Sequence, residues 1–134
     1  MSRRRGIGAL AAAVVLGASP AACGTPSPDL FVVQRSGDVP GARLRLLVSD
    51  GSVRCNGGAE RALSSAQLIE ARQIARRLEE LGAVPESPRR IFAFAVRFET
   101  GTVRFADTVT RPPVLPRIAR FTRTAAQDLC GLER

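Results

Sequence analysis

The stretch Ala42-Arg43-Leu44-Arg45-Leu46-Leu47-Val48-Ser49-Asp50-Gly51 decides how this chain folds. Leu44, Leu46 and Val48 fall on one side of an extended backbone and Arg43, Arg45 and Leu47 on the other, the period of a strand with one covered face. Asp50-Gly51 is hairpin turn chemistry, so an antiparallel partner is expected around Val53-Arg54-Cys55, closed by Asn56-Gly57-Gly58. Upstream, Leu30-Phe31-Val32-Val33 is an apolar, β-branched run ending at Gln34-Arg35, and Ser36-Gly37-Asp38-Val39-Pro40-Gly41 turns the chain back.

The strongest helix signal follows. Ser64-x-x-Gln67 has the form of a capping box, which satisfies two of the free N–H groups at a helix start. Leu68, Ala71, Ala75, Leu78 and Leu81 recur at helical spacing, Glu70, Arg72, Gln73, Arg76, Arg77 and Glu80 take the opposite face, and Gly82 is the expected terminator. This amphipathic pattern fits a helix packed on a sheet rather than on lipid. Beyond Pro85 and Pro88, residues 91–99 alternate again with Phe92, Phe94, Val96 and Phe98 on one side. Thr100-Gly101 turns the chain, and Val103 and Phe105 continue as the hairpin partner. Arg111-Pro112-Pro113 precedes a second helix from about Leu115 or Pro116 to Leu129, in which Ile118, Phe121, Thr122, Ala125 and Leu129 can face the sheet. The order β-β-β-α-β-β-α predicts an α+β domain, one mainly antiparallel sheet of about five strands with both helices on its Phe-rich face.

The chain has 134 residues and a formal net charge of +8, and all 20 of its basic residues are arginine. They are spread along the sequence rather than gathered into a stripe or tail, which argues against a nucleic-acid partner. His, Tyr, Trp and Lys are absent, so the usual near-neutral general base, the commonest metal-binding imidazole and the Schiff-base amine are missing. No cofactor or metal is expected, and the protein is expected not to be an enzyme. Ser64 and Ser65 sit where capping accounts for them, and the 12 carboxylates form no short ligand loop. A pair of carboxylates converging in space is the one catalytic arrangement left open.

The first two dozen residues say where the chain works. Arg3-Arg4-Arg5 leads into an uncharged run, residues 7–18, that is too short to span a bilayer, which takes roughly 20 apolar residues. The small residues of Ser19-Pro20-Ala21-Ala22 before Cys23 resemble a lipobox, whose cysteine accepts a diacylglyceryl group, with Pro20 standing where an aliphatic residue is usual. Ser19-Pro20-Ala21 also meets the small-x-small rule of an ordinary secretory site. Residues 1–22 are read as a signal peptide, residues 23–28 as a lipidated Cys23 with a Pro/Ser tether, and residues 29–134 as one domain. The tether would hold the domain within about 20 Å of the membrane at ~3.3 Å per extended residue. The expected place is the extracytoplasmic face of the cell membrane, with free secretion as the alternative. Lipidation of Cys23 leaves Cys55 and Cys130 as an even pair in an oxidising compartment, a structural disulfide. Joining them closes a loop of roughly 75 residues, which the chain-entropy account values at about 4 kcal/mol.

The sheet face away from the helices is the candidate binding surface. Arg43 and Arg45 share it by parity, and Arg97 and Arg104, each alternating with core positions, join them. Such a basic surface suits the membrane or an anionic envelope polymer, with an envelope protein as the other class of partner. An uncovered antiparallel face also needs polar residues for solubility alone.

Arg35-Ser36-Gly37, Cys55-Asn56-Gly57-Gly58 and Cys130-Gly131-Leu132 together resemble small lipoproteins of GC-rich Gram-positive bacteria over most of the mature chain. That resemblance implies an anchored envelope protein and names no reaction. Arg35-Ser36-Gly37 with Gly41 also resembles emfourin-type protein inhibitors of thermolysin-like metalloproteases, which open with a strand, an Arg-Ser-Gly-Gly-x-x-Gly turn and a second strand, then a helix and a later hairpin. Asp38 stands where the second glycine of that turn is expected, and the cysteine pair and the anchor are additional. The resemblance implies a shared fold and makes Arg35, Ser36, Gly37 and Gly41 a second group of candidate binding residues; a shared fold does not by itself carry the inhibition.

Overall fold

The computed structural model describes Gly17 and residues 28–133. Apart from Gly17, the expected signal peptide, Cys23 and most of the expected tether lie outside the described residues. Strands β1 (Asp29–Gly37), β2 (Leu44–Ser49), β3 (Ser52–Cys55) and β4 (Glu60–Ala62) come first, then helix α1 (Ser65–Glu79). The hairpin β5 (Phe92–Phe98) and β6 (Gly101–Ala106) and helix α2 (Val114–Asp128) complete the domain. The strands form one sheet in the order β4-β3-β2-β1-β5-β6, every neighbour antiparallel.

The architecture is α+β with a single antiparallel sheet, as the sequence predicts, but the sheet has six strands instead of five. The additional strand, Glu60-Arg61-Ala62, is exposed throughout and carries no apolar alternation. It exists because Asn56 and Gly57 both adopt positive φ, 52° and 72°, the geometry of a tight hairpin turn, and fold the chain back onto β3. The Gly58 N–H closes that turn on the Cys55 carbonyl at 2.9 Å.

Register builds the covered face in rows. Cys55, Leu46, Val33, Val96 and Val103 lie side by side across five strands, and Leu44, Arg35, Phe94 and Phe105 form the next row. On this face α1 sets Ala71, Ile74 and Leu78 and α2 sets Leu115, Ile118, Phe121 and Ala125 into one core. Phe31 meets Phe121 edge-on at 6.1 Å, and Phe94 stacks on Phe105 at 5.0 Å. Full burial of each such side chain contributes about 1.5–3 kcal/mol.

The capping box forms as expected: the Gln67 N–H donates to Ser64 Oγ at 3.1 Å and the Ser64 N–H to Gln67 Oε1 at 2.9 Å. Three details of the helices differ from the sequence reading. The buried stripe of α1 centres on Ile74, with Ala75 and Leu81 only partly buried at its margins. Gly82 does not terminate it, because the last turn tightens instead, the Glu80 and Leu81 N–H groups donating to the Arg77 and Leu78 carbonyls, so no left-handed residue is needed. Glu70 and Gln73, read as outer-face residues, bind α2: Arg117 reaches both Glu70 oxygens at 3.0 and 2.7 Å and Gln73 Oε1 at 2.8 Å. The glycine that ends a helix is Gly131, at φ +67°, behind which the Leu132 N–H donates to the Ala126 carbonyl at 2.8 Å. Cys55 and Cys130 are disulfide-bonded with Cα atoms 5.8 Å apart, fastening β3 to the end of α2. The Arg111–Pro112 peptide before α2 is cis.

Candidate functional site

The helices cover one face of the sheet, and the other is open except where residues 84–87 lie over part of β5 and β6 and where Val32, in its middle, is only 6 % exposed. Register gives its rows: Arg54, Leu47, Val32, Arg97 and Thr102 run across five strands, and Arg45, Gln34, Ala95 and Arg104 run beside them. Arg43 precedes β2 with the parity of Arg45. The structure thus brings Arg43, Arg45, Arg97 and Arg104 onto one face, all exposed and none in an ion pair among the described residues. The four ion pairs among the described residues, Arg72–Asp50, Arg77–Glu80, Arg89–Asp38 and Arg117–Glu70, involve other arginines. Arg54 belongs to the same face and was legible from the parity of core-facing Val53, although its guanidinium also donates to the Gly58 carbonyl at 3.2 Å. Arg45 with Arg54 and Arg97 with Arg104 are diagonal neighbours on adjacent strands, roughly 7–8 Å apart, flanking Leu47, Val32 and Ala95.

Arg35 is not on this face. Its row is the core-facing one, and it is only 4 % exposed. Its Nε donates to the Ala42 carbonyl at 2.9 Å and its Nη2 to the Gly41 carbonyl at 3.1 Å, while the guanidinium lies 4.7 Å from the centre of the Phe92 ring. Burial pulls its pKa below the usual arginine value. Arg35 therefore fastens the 36–41 turn from beneath. Gly37 is required there by space, since a Cβ would stand 2.5 Å from the Ile91 carbonyl oxygen, and Gly41 by its φ of +75°. Ser36, Asp38, Pro40 and Gly41 remain exposed, with Asp38 held by Arg89 at 2.7 Å.

The segment 83–91 returns from α1 to β5 as a strap. Asp107 clasps its end, accepting the backbone N–H groups of Arg90, Ile91 and Phe92 at 2.8, 2.7 and 3.0 Å, and Thr108 Oγ1 donates to the Pro88 carbonyl. Burial works to raise the Asp107 pKa, but the three N–H donors together hold it below the usual carboxylate range. Between residues 84–87 of the strap and the open face is a cleft of about 480 Å³. A second hollow, about 560 Å³, lies on the helix side against Phe92, with Arg90, Arg120 and Arg123 among its lining and Asp107 and Glu133 offsetting them.

Among the described residues no group of three or more His, Cys, Asp or Glu side chains could hold a metal ion, and no helix is long and apolar enough to cross a membrane. No family model, curated protein or solved structure matches this chain.

Proposed function

We propose that the protein is a small envelope lipoprotein, anchored through Cys23 on the extracytoplasmic face of the membrane, that works as a non-catalytic binding module for an anionic surface. The observation that carries this reading is the one-sided sheet: both helices pack on one face, and the other presents Arg43, Arg45, Arg97 and Arg104 without acidic partners among the described residues. Each arginine near an anionic surface adds roughly 1 kcal/mol of attraction. That attraction decays within about 8 Å at physiological salt, so a short tether favours contact with the surface that anchors it.

The test separates charge from lipid. The full chain with Cys23→Ala is expected to float with phosphatidylglycerol vesicles and not with phosphatidylcholine vesicles, and to come off as salt rises. Arg45→Gln with Arg97→Gln should weaken that binding, whereas Arg76→Gln with Arg77→Gln on α1 should not. Equal binding to both vesicle types, or none to either, would refute the basic-face reading.

A second reading rests on a different observation. The 36–41 turn is exposed and yet fastened by Arg35 and by the Asp38–Arg89 pair, the form an inhibitory loop takes when it is pre-organised for a protease. Incubation with thermolysin tests it: inhibition that is lost when Ser36 and Asp38 are both replaced by Arg supports an emfourin-type inhibitor, and undisturbed peptide hydrolysis rejects it.

A further inference from the structure

The cleft beneath the strap is lined by side chains the fold leaves unused. Its floor is small, because Ala93, Ala95 and Ala106 sit at neighbouring register positions on β5 and β6. Three alanines together where strand faces ordinarily carry larger residues leave a depression, and Val84 and Pro85 of the strap wall it with apolar surface. At about 480 Å³ it falls in the size range of small-molecule sites.

The polar groups around that floor are Gln34, Ser36, Glu86, Ser87 and Arg104. None has a side-chain hydrogen-bond or ion-pair partner among the described residues. For the exposed ones water suffices, but the Ser87 hydroxyl oxygen is buried and still unpartnered. A buried hydroxyl without a partner costs roughly 1–3 kcal/mol, a cost removed when the Ser87 side chain rotates its hydroxyl, which this conformation closes off from solvent, onto a ligand group in the cleft. Nearby, Asp38, Arg89, Asp107 and Thr108 are all engaged in holding the turn and strap in place. The polar groups of the cleft do no such structural work.

We infer that this cleft binds a short peptide with both termini free, its carboxylate on Arg104, its ammonium on Glu86 and its amide groups on Gln34, Ser36 and Ser87. Opposite charges on two walls select a zwitterion. A neutral sugar would leave both charges unpaired, and a polyanion would be repelled by Glu86. The Gln34 amide carries a donor and an acceptor, matching the two needs of a peptide group. The alanine floor favours small ligand side chains. This site overlaps the basic face at Arg104 but does not depend on that reading, since Glu86 and Ser87 serve the cleft alone.

Titration calorimetry of the full chain with tri-alanine, its N-acetyl form and its C-terminal amide tests the assignment. Tri-alanine is expected to bind saturably, and each cap to weaken binding about tenfold or more, in keeping with the loss of a charged hydrogen bond. Glu86→Gln should reduce affinity for free tri-alanine and leave the N-acetyl form unchanged, and Arg104→Gln should do the same toward the C-terminal amide. Both residues are exposed, so unaltered thermal melts will accompany these changes. Absence of saturable binding, equal affinity for the capped and free peptides, or variants that bind like the parent would each overturn the proposal. Vesicle binding that persists while tri-alanine fails would overturn this inference and leave the basic face standing.

Discussion

Thr122 and Asp107 show how differently a polar residue can be used a few ångströms from the core. Thr122 is fully buried on α2 and its hydroxyl finds no partner among the described residues. Thr122→Val keeps the shape and removes the unpaired oxygen, so it is expected to raise stability by about 1 kcal/mol in urea melts. Asp107 has the opposite balance, with three N–H donors on one carboxylate. Its pKa is lowered on folding, so its contribution is complete above the ordinary carboxylate range and fades as pH falls through the lowered folded value. Asp107→Asn should therefore cost about 1–3 kcal/mol at neutral pH, with the gap to the parent closing on acidification, as urea melts at several pH values will show. Arg35 teaches the same lesson about reading a sequence. An arginine in an alternating strand looks like a surface cation, and only its parity with Val33 hints that it faces the core.

At the scale of elements, local chemical signals held except at Gly82, and signals that depended on neighbours were weaker. The Ser64/Gln67 box, the Asn56-Gly57 turn and the β5–β6 hairpin are all present as read. β4 was invisible because Glu60-Arg61-Ala62 has no apolar period; pairing with β3 is what makes it a strand. The Glu70–Arg117 bond was equally hidden, since it joins residues on two helices far apart in sequence. The Arg117 guanidinium holds the Glu70 carboxyl below the usual carboxylate range, so acid below that range weakens the join between the helices. The disulfide links the two halves of the chain. Cys55→Ser and Cys130→Ser should each destabilise by about 3–4 kcal/mol and by equal amounts within error, because either change opens the same 75-residue loop. Non-reducing urea melts check the equality, and unequal losses would show that one cysteine has a further role.

At the scale of the whole molecule, a domain anchored as proposed above is expected to be held by its lipid and oriented by its charge. Replacing Cys23 by Ala should move the protein from the membrane to the soluble fraction of its host, and retention at the membrane would argue that something other than lipidation holds it. By itself the sequence determined the periods of the longer strands, both helices, the class of fold and the parity that collects four arginines on one face. Each of these is set by spacing along the chain, which a sequence displays directly. The tertiary structure decided that Arg35 is buried, that the 83–91 strap crosses to Asp107, that α1 and α2 are joined by an ion pair, and that three alanines on two strands share a cleft with an unpartnered Ser87. Those are meetings between residues distant in sequence, and they follow from register and packing, which no local pattern encodes.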